Sequence, residues 1–331
     1  MKHFFIFFMA LLFFVACSTK REYYQPTKIE STILQTKNIQ GKIIDFNNNV
    51  AQLSNNAFIN DFGEVINFKL NKNYQIVNIY QNEILTADDN GNFKILDMKN
   101  NELFSYKFSE SVVAANVDGD DIALVLASNT LVYANKNLGV KMIQNLGNSY
   151  AQDSRFANPQ FLNTIIIYPM LNGKLAVVNK STLKIIREIV VSNEEFFNNV
   201  IYLDIKDDRM IAATGKKVIV VTPKRTLHFN EDIKEVTIGN KEIFILTKDG
   251  KIIKTDFNLR IIDENKFQFA LFSKSTFYNN FLYVFEKTGY LIKINSNLNN
   301  FVVYKFNDAV DKKSFMKQNK FFYSDKVLQL K

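Results

Sequence analysis

The sequence predicts an all-β protein: an eight-bladed β-propeller whose blades are four-stranded antiparallel sheets. From residue 31 onward, short runs of Ile, Val, Leu, Phe and Tyr alternate with clusters of Asn, Asp, Gly and Lys, and apolar residues do not recur at helical spacing. A unit of four such runs recurs about every forty residues. The last unit lacks its fourth run, while an unassigned run precedes the first unit. These three observations together indicate a closed ring of repeats.

The N-terminal segment has the composition of an export signal. Lys2 precedes an apolar run from Phe4 to Val15, which small residues follow. This run is shorter than the roughly 20 apolar residues that a membrane-spanning helix needs. We therefore expect residues 1–16 to be a cleaved leader and not part of the fold.

Cys17, the single cysteine of the chain, stands directly after this leader. The ending Phe14-Val15-Ala16-Cys17 resembles the lipobox of bacterial lipoproteins, in which the cysteine is lipidated and becomes the first mature residue. An ordinary secretory leader with a chance cysteine is the alternative. Several lipid chains would anchor the protein stably, and by the same resemblance Ser18, where an aspartate favours the inner membrane, implies the outer membrane. The polar residues 17–30 are predicted to form a flexible tether.

The repeats form a single predicted domain, residues 31–331. The turn between the second and third run of each repeat falls at Asn55, Asn90, Asn129, Gly173, Lys216, Gly250, Gly289 and Lys326, in steps of 35, 39, 44, 43, 34, 39 and 37 residues. This spacing is typical of propeller blades. Seven blades is the alternative, should the weak repeat at residues 47–70 be irregular.

Ring closure is predicted from the two ends of the domain. The last repeat ends after its third run, and the run from Thr32 to Ile39 has no repeat of its own. If this run pairs as the outer strand of the last blade, the ring closes without an exposed terminal interface. Within the blades, runs such as Phe281–Phe285 are apolar on both faces, as middle strands between neighbouring blades should be. Asn pairs such as Asn279-Asn280 fit tight hairpin turns.

The repeat unit resembles a known family. The units Asp249–Asp256, Asn172–Asn179 and Asn90–Asp97 share a Gly-x-hydrophobic-x-x-hydrophobic-Asp/Asn pattern, which is similar to the core of quinoprotein-like (PQQ-like) β-propeller repeats. With the lipoprotein-type leader, the chain resembles the BamB family of outer-membrane assembly lipoproteins. That resemblance implies a scaffold for the machinery that inserts β-barrel proteins.

Composition argues against an enzyme. The chain has 331 residues, two histidines, one cysteine and no tryptophan, so a disulfide framework, a Cys/His zinc cluster and a multi-histidine site are excluded. Quinone-dependent members of the resembled group often carry a vicinal disulfide, which a single cysteine cannot form. We therefore predict no catalytic, cofactor-binding or metal-binding residues and no cofactor. The net charge of +8 is mild.

Several candidate residues have a simpler structural interpretation. His228, the single histidine after the leader, falls near the end of an outer strand, where a general base would lack a positioned partner. The acidic pairs and clusters fit hairpin turns better than a calcium loop; they are Asp88-Asp89, Asp118-Gly119-Asp120-Asp121 and Asp207-Asp208. Basic residues on loops could form a patch for an anionic lipid or acidic partner surface; they are Lys216-Lys217 and Lys224-Arg225. The longest irregular stretch, Asn145–Pro159, carries Tyr150 and Phe156 and is a candidate docking loop.

The sequence thus predicts a lipid-anchored, periplasm-facing outer-membrane scaffold that binds protein partners, with the barrel-assembly machinery as the candidate partner, and no nucleic acid. We expect a monomer apart from its complex. Two alternatives remain open. An enzyme with its site at the ring axis would require carboxylates from several blades around the central opening. A binder of sugars or surface polymers would require exposed aromatic rings beside polar side chains at the channel mouth.

Overall fold

The computed structural model describes residues 21–33, 36–147, 149, 153–196, 198–307 and 313–330. The described residues form strands and contain no helix. The predicted leader and Cys17 lie outside them, as does Tyr150. None of the described segments is a helix with the length and apolar character required to cross a membrane.

The strands form eight sheets that follow one another along the chain, as predicted. Blades 1 to 4 consist of β3(Ile43–Phe46), β4(Ala51–Leu53), β5(Ala57–Ile59), β6(Val65–Asn67); β7(Gln75–Tyr80), β8(Glu83–Ala87), β9(Asn92–Asp97), β10(Glu102–Lys107); β11(Val112–Asp118), β12(Asp121–Leu126), β13(Thr130–Asn135), β14(Gly139–Asn145); and β15(Gln160–Leu162), β16(Ile165–Pro169), β17(Lys174–Asn179), β18(Lys184–Val190). Blades 5 and 6 consist of β19(Tyr202–Lys206), β20(Arg209–Ala213), β21(Lys217–Val221), β22(Thr226–Asn230); and β23(Ile233–Ile238), β24(Glu242–Thr247), β25(Lys251–Asp256), β26(Ile261–Lys266). Blades 7 and 8 consist of β27(Phe272–Tyr278), β28(Phe281–Glu286), β29(Tyr290–Asn295), β30(Phe301–Phe306), preceded in the chain by β1(Ser31–Ile33); and β31(Ser314–Lys317), β32(Lys320–Tyr323), β33(Lys326–Gln329), completed by β2(Lys37–Asn38).

The two ends of the domain close the ring. Strand β2 pairs antiparallel with β33, with Lys37 opposite Val327, and supplies the missing fourth strand of blade 8. Strand β31 contacts β27 of blade 7 and β3 of blade 1. The predicted closure is therefore confirmed, and so are eight blades rather than seven.

The predicted run from Thr32 to Ile39 is divided between two blades. Its beginning, in β1, pairs parallel with β30 and makes blade 7 five-stranded, with Ser31 opposite Tyr304. Only β2 belongs to blade 8. The N-terminal chain thus crosses from the edge of one blade to the edge of the next. It covers two outer strands that would otherwise present unpaired backbone groups.

The segment before β1 lies against blades 6 and 7 at Tyr24. This side chain is only 7% exposed, and its ring centroid lies 6.0 Å from that of Phe267 and 5.6 Å from that of Tyr290. Burial, with the nearby Glu286 carboxylate, raises the pKa of Tyr24 to about 12. This part of the predicted tether is packed on the propeller, and its role as a tether stays a prediction.

The core lies between the blades. Middle strands bury both faces, as in β28, where Leu282 to Phe285 are buried. Phenylalanine fills some interfaces more than others. Between blades 7 and 8, the rings of Phe285 and Phe321 stack with centroids 3.5 Å apart. The buried cluster between blades 4 and 5 is aliphatic, with Ile167 and Ile219 among its members. Aromatic side chains therefore pack some interfaces between blades, whereas aliphatic side chains pack others.

Candidate functional site

The first turn of blade 1 enters the central channel. The strands of blade 1 are three or four residues long, whereas first strands elsewhere reach seven residues, as in β11. The turn that follows β3, Asn47-Asn48-Asn49, lies inside the ring, where Asn48 bonds to residues that precede blades 4 and 5. We call these three residues the asparagine turn.

The asparagine turn is bonded to four other blades or their entry segments. Asn48 donates from Nδ2 to the carbonyl oxygens of Phe156, at 2.8 Å, and Ile201, at 3.0 Å, which precede blades 4 and 5 across the ring. Asn47 donates to the carbonyl oxygen of Val77 in blade 2 at 2.8 Å. Asn49 accepts a hydrogen bond from Lys317 of blade 8 at 3.4 Å. Hydrogen bonds from the asparagine turn therefore connect several blades across the channel.

Asparagine also links neighbouring first strands around the ring. Asn49 donates to the Asn78 side chain at 3.0 Å, Asn78 donates to the carbonyl oxygen of Ala115 at 2.8 Å, and Asn116 donates to that of Pro159 at 2.9 Å. Buried amides need such partners, because an unpaired polar group in the interior is costly. The abundance of asparagine thus has a second cause besides the tight turns that the sequence predicts.

Cavities lie on either side of the asparagine turn. One, of about 220 Å³, lies deeper in the ring and is lined by Asn49, Tyr202, Val236, Met316 and Lys317, among others. The other, of about 610 Å³, opens where the first strands of blades 6 to 8 begin. We call this second cavity the upper mouth; its charged lining residues are Arg21, Arg155, Lys234, Lys248, Lys274, Lys287, Asp45 and Asp153. Six cations thus face two carboxylates in one cavity.

Arg155 is held rigidly in the upper mouth. It donates from Nε to Asp153 Oδ1 at 2.9 Å and from Nη2 to Asp153 Oδ2 at 2.5 Å, and its Nη1 donates to the carbonyl oxygen of Lys234. The buried side chain of Asn199 clamps this loop by accepting from the Asp153 backbone N–H at 3.0 Å and donating to the Arg155 carbonyl at 2.7 Å. Burial works against the Asp153 carboxylate, but the Arg155 hydrogen bonds outweigh it and hold its pKa below the usual range.

The lysines of the channel are poorly compensated. Burial, together with the neighbouring cations Arg155, Lys287 and Lys274, lowers the pKa of Lys234 to about 8 against the opposing carboxylate of Glu235. Lys274 Nζ lies 4.0 Å from Glu235 Oε1, and its side chain is only 13% exposed. Burial also lowers the pKa of Lys317 to about 8. The channel thus contains three partly buried lysines, Lys234, Lys274 and Lys317.

The upper mouth contains part of the predicted docking loop. The described residues of Asn145–Pro159 bring Asp153, Ser154 and Arg155 into this cavity. Phe156 lines a neighbouring cavity of about 250 Å³ between blades 1, 2 and 3. The loop therefore faces the ring axis, whereas the sequence indicated only that it was long and irregular.

Of the other candidates, Asp88 and Asp89 line the cavity of about 250 Å³ that Phe156 also lines. His228 is exposed on the outer strand β22, opposite Ile219. Asp88 is a turn residue whose Oδ1 accepts from the backbone N–H of Asn90 and Asn92, and the hydrogen bonds from Asn92 lower its pKa. Within the described ranges, acidic, histidine and cysteine side chains form no group of three that could hold a metal ion.

The predicted basic loop residues have local partners. Lys216 Nζ lies 2.5 Å from Asp232 Oδ1, and Arg225 donates to Asn258 Oδ1 at 2.6 Å. Lys217 begins β21, and Lys224 is exposed in the turn that follows this strand. The dense positive charge lies instead in the upper mouth.

Sequence reasoning missed Lys234, Lys274 and Lys317 as a group. They occupy the second, third and fourth positions of β23, β27 and β31, the first strands of three consecutive blades. A signal was available, since a lysine recurs inside the inner strand of each of these blades. Reading it requires knowing that first strands line the channel.

Comparisons with known proteins bear on the fold and, more loosely, on function. No protein-family model matches the chain. The chain is 27% identical over 328 residues to the plasminogen-binding protein PgbB of Helicobacter pylori strain J99, covering 84% of this chain and 60% of that protein. PgbB of strain 26695 is 27% identical over 319 residues, covering 82% and 58%. The chain therefore spans about three-fifths of the length of these relatives.

Solved structures share the architecture at low sequence identity. BamB from Moraxella catarrhalis superposes with a TM-score of 0.66 at 12% identity, covering 94% of this chain and 99% of that one. The computationally designed protein Ika8 gives a TM-score of 0.65 at 11% identity, covering 91% and 99%. These likenesses show the propeller fold and do not by themselves assign a function.

Proposed function

We propose that this protein is a protein-binding propeller of the bacterial cell envelope, anchored by lipid at Cys17 and engaged in the assembly of outer-membrane β-barrel proteins. The binding role rests on the architecture of the ring and its channel. Its channel contains its own asparagine turn and opens into a cavity in which Arg155 is held by Asp153. Such a scaffold suits the capture of a partner segment better than the passage of a substrate.

The enzyme alternative would need carboxylates from several blades at the ring axis. The upper mouth instead presents six cations, and one of its two carboxylates, Asp153, is bound by Arg155. The sugar-binding alternative would need exposed rings at the mouth; Phe46 and Phe272 line it, but Phe272 is buried. Protein binding is therefore the function that this geometry favours.

Two partners are proposed from the comparisons. The likeness to BamB supports a protein of the barrel-assembly machinery, and the relatives named for plasminogen binding support plasminogen. The first is tested by affinity purification of the tagged full-length protein from solubilised membranes. Co-isolation of a barrel-assembly protein is expected, and its consistent absence would count against the assembly role. The second is tested by measuring binding of purified plasminogen to the same preparation.

The anchor is tested separately by Cys17→Ala. We expect this variant to leave the membrane fraction after a high-salt wash, because attachment requires the lipid chains. The unmodified chain should remain with the membrane under the same wash. Retention of the variant would contradict lipidation at Cys17.

A further inference from the structure

We propose that the upper mouth binds an acidic segment of a protein partner, with aspartate or glutamate carboxylates entering the cavity between Lys234, Lys274 and Lys287. The inference rests on the proposed protein-binding function and specifies the chemistry of the bound segment. It starts from a charge imbalance in one cavity, where Arg155, Lys234 and Lys274 are partly buried and Arg21, Lys248 and Lys287 are exposed. The six basic side chains that line the cavity exceed its two carboxylates by four.

Lys234 and Lys287 offer their ammonium groups to a ligand, whereas Lys274 lies 4.0 Å from Glu235. The guanidinium of Arg155 already donates hydrogen bonds to Asp153 and to the Lys234 carbonyl oxygen. Its capacity for bidentate binding of a carboxylate is therefore used within the protein. An ammonium group is a compact charge with three donors, which suits a carboxylate in several orientations. Such a cavity selects for negative charge more than for one exact shape.

The depth of the charges favours a protruding segment over a flat surface. The side chain of Lys274 is only 13% exposed and that of Arg155 only 18%. The headgroups of a bilayer cannot descend into such a recess, whereas a loop or a chain end can. The cavity of about 610 Å³ has room for a few side chains.

A bound carboxylate would also relieve an unfavourable arrangement. The pKa of Lys234 is lowered to about 8 by burial and by Arg155, Lys287 and Lys274. A negative group among these cations favours their charged forms, since opposite charges at close range stabilise each other. Attraction of this kind also speeds association and weakens as salt rises.

The test measures peptide binding to the full-length protein in detergent. Fluorescently labelled hexaglutamate should bind at low salt and weaken at high salt, and matched hexaglutamine should not bind. The variant Lys234→Gln/Lys287→Gln should bind hexaglutamate about tenfold more weakly or worse. The control Lys184→Gln/Lys224→Gln removes the same charge from exposed sites away from the channel and should bind as the unmodified protein does. Thermal melting would establish that both variants are folded.

Three results of the peptide assay would overturn the inference: equal binding of the two peptides, no loss of hexaglutamate affinity in the channel variant, or equal loss of affinity in both variants. Displacement of the peptide by low concentrations of inorganic phosphate would also overturn it, because the site would then bind a small free anion. Failure here is distinguishable from failure of the proposed function. A partner co-isolated equally well with the unmodified protein and with the channel variant would leave protein binding intact and exclude the upper mouth as its place.

Discussion

Replacing Lys317 by methionine should stabilise the protein at neutral pH. Lys317 ends β31, the first strand of blade 8, and faces the cavity below the asparagine turn. Burial and the neighbouring Lys274 together lower the pKa of its ammonium from 10.5 to about 8, although Asp61 opposes them. Keeping this group charged inside the ring therefore works against folding, and methionine has similar length without the charge.

The magnitude follows from the difference between the two pKa values. Each tenfold difference in proton affinity corresponds to 1.36 kcal/mol, so the range from 10.5 to about 8 corresponds to about 3 kcal/mol. Lys317 keeps part of its contact with solvent. It also donates to Asn49 at 3.4 Å, a long hydrogen bond that methionine would lose. We therefore expect a net gain of about 1 to 3 kcal/mol.

The pH dependence has a definite sign. Below about pH 8, Lys317 is protonated in both the folded and the unfolded chain, and the full destabilisation is present. Between about pH 8 and 10.5 the folded chain has lost a proton that the unfolded chain retains, so stability of the unmodified protein rises with pH. The advantage of Lys317→Met should thus shrink to below about 1 kcal/mol near pH 10.

Urea unfolding followed by circular dichroism at about pH 7 and about pH 10 measures this difference. Lys184→Met, on the exposed start of β18, is the matched control and should change stability by less than about 0.5 kcal/mol. A Lys317→Met protein that is no more stable at neutral pH, or whose gain is the same at both pH values, would refute the reasoning.

Two further predictions concern the asparagine turn and the blade turns. Asn48→Ala removes two hydrogen bonds across the ring and should cost about 1 to 3 kcal/mol in urea unfolding. Asn137→Ala, in an exposed turn, should cost less than about 0.5 kcal/mol, and equal losses would contradict the role of the turn. Gly173→Ala should cost more than about 3 kcal/mol, because its φ is +82° and an added Cβ would lie 2.2 Å from the Ser192 carbonyl oxygen. Gly139→Ala, at φ +76° with no atom of the described residues within 4 Å of the added Cβ, should cost about 1 kcal/mol, and similar melting temperatures for the two variants would contradict the steric argument.

Much of the ring could be predicted from the sequence because each blade is a local structure. A meander pairs neighbours along the chain, so apolar runs and turn residues suffice to locate strands such as the predicted run Phe281–Phe285, which lies in β28. The closure was also predictable, since one end lacked a strand that the other end could supply. The division of residues 31–39 between two blades was not, because parallel pairing of β1 with β30 leaves no local signal.

The site was harder to predict, because its residues come together only when the ring has closed. Arg155, Lys234 and Lys274 belong to three blades or their entry segments, and the lysines that recur in β23, β27 and β31 can be assigned to the channel only once the first strands are known to line it. The first repeat, the weakest in the sequence, shows the same limit of prediction from local sequence. Nothing in the sequence indicated that its first turn reaches the axis, yet Asn48 bonds there to Phe156 and Ile201. These contacts join segments more than one hundred residues apart, so the local pattern of a single repeat cannot reveal them.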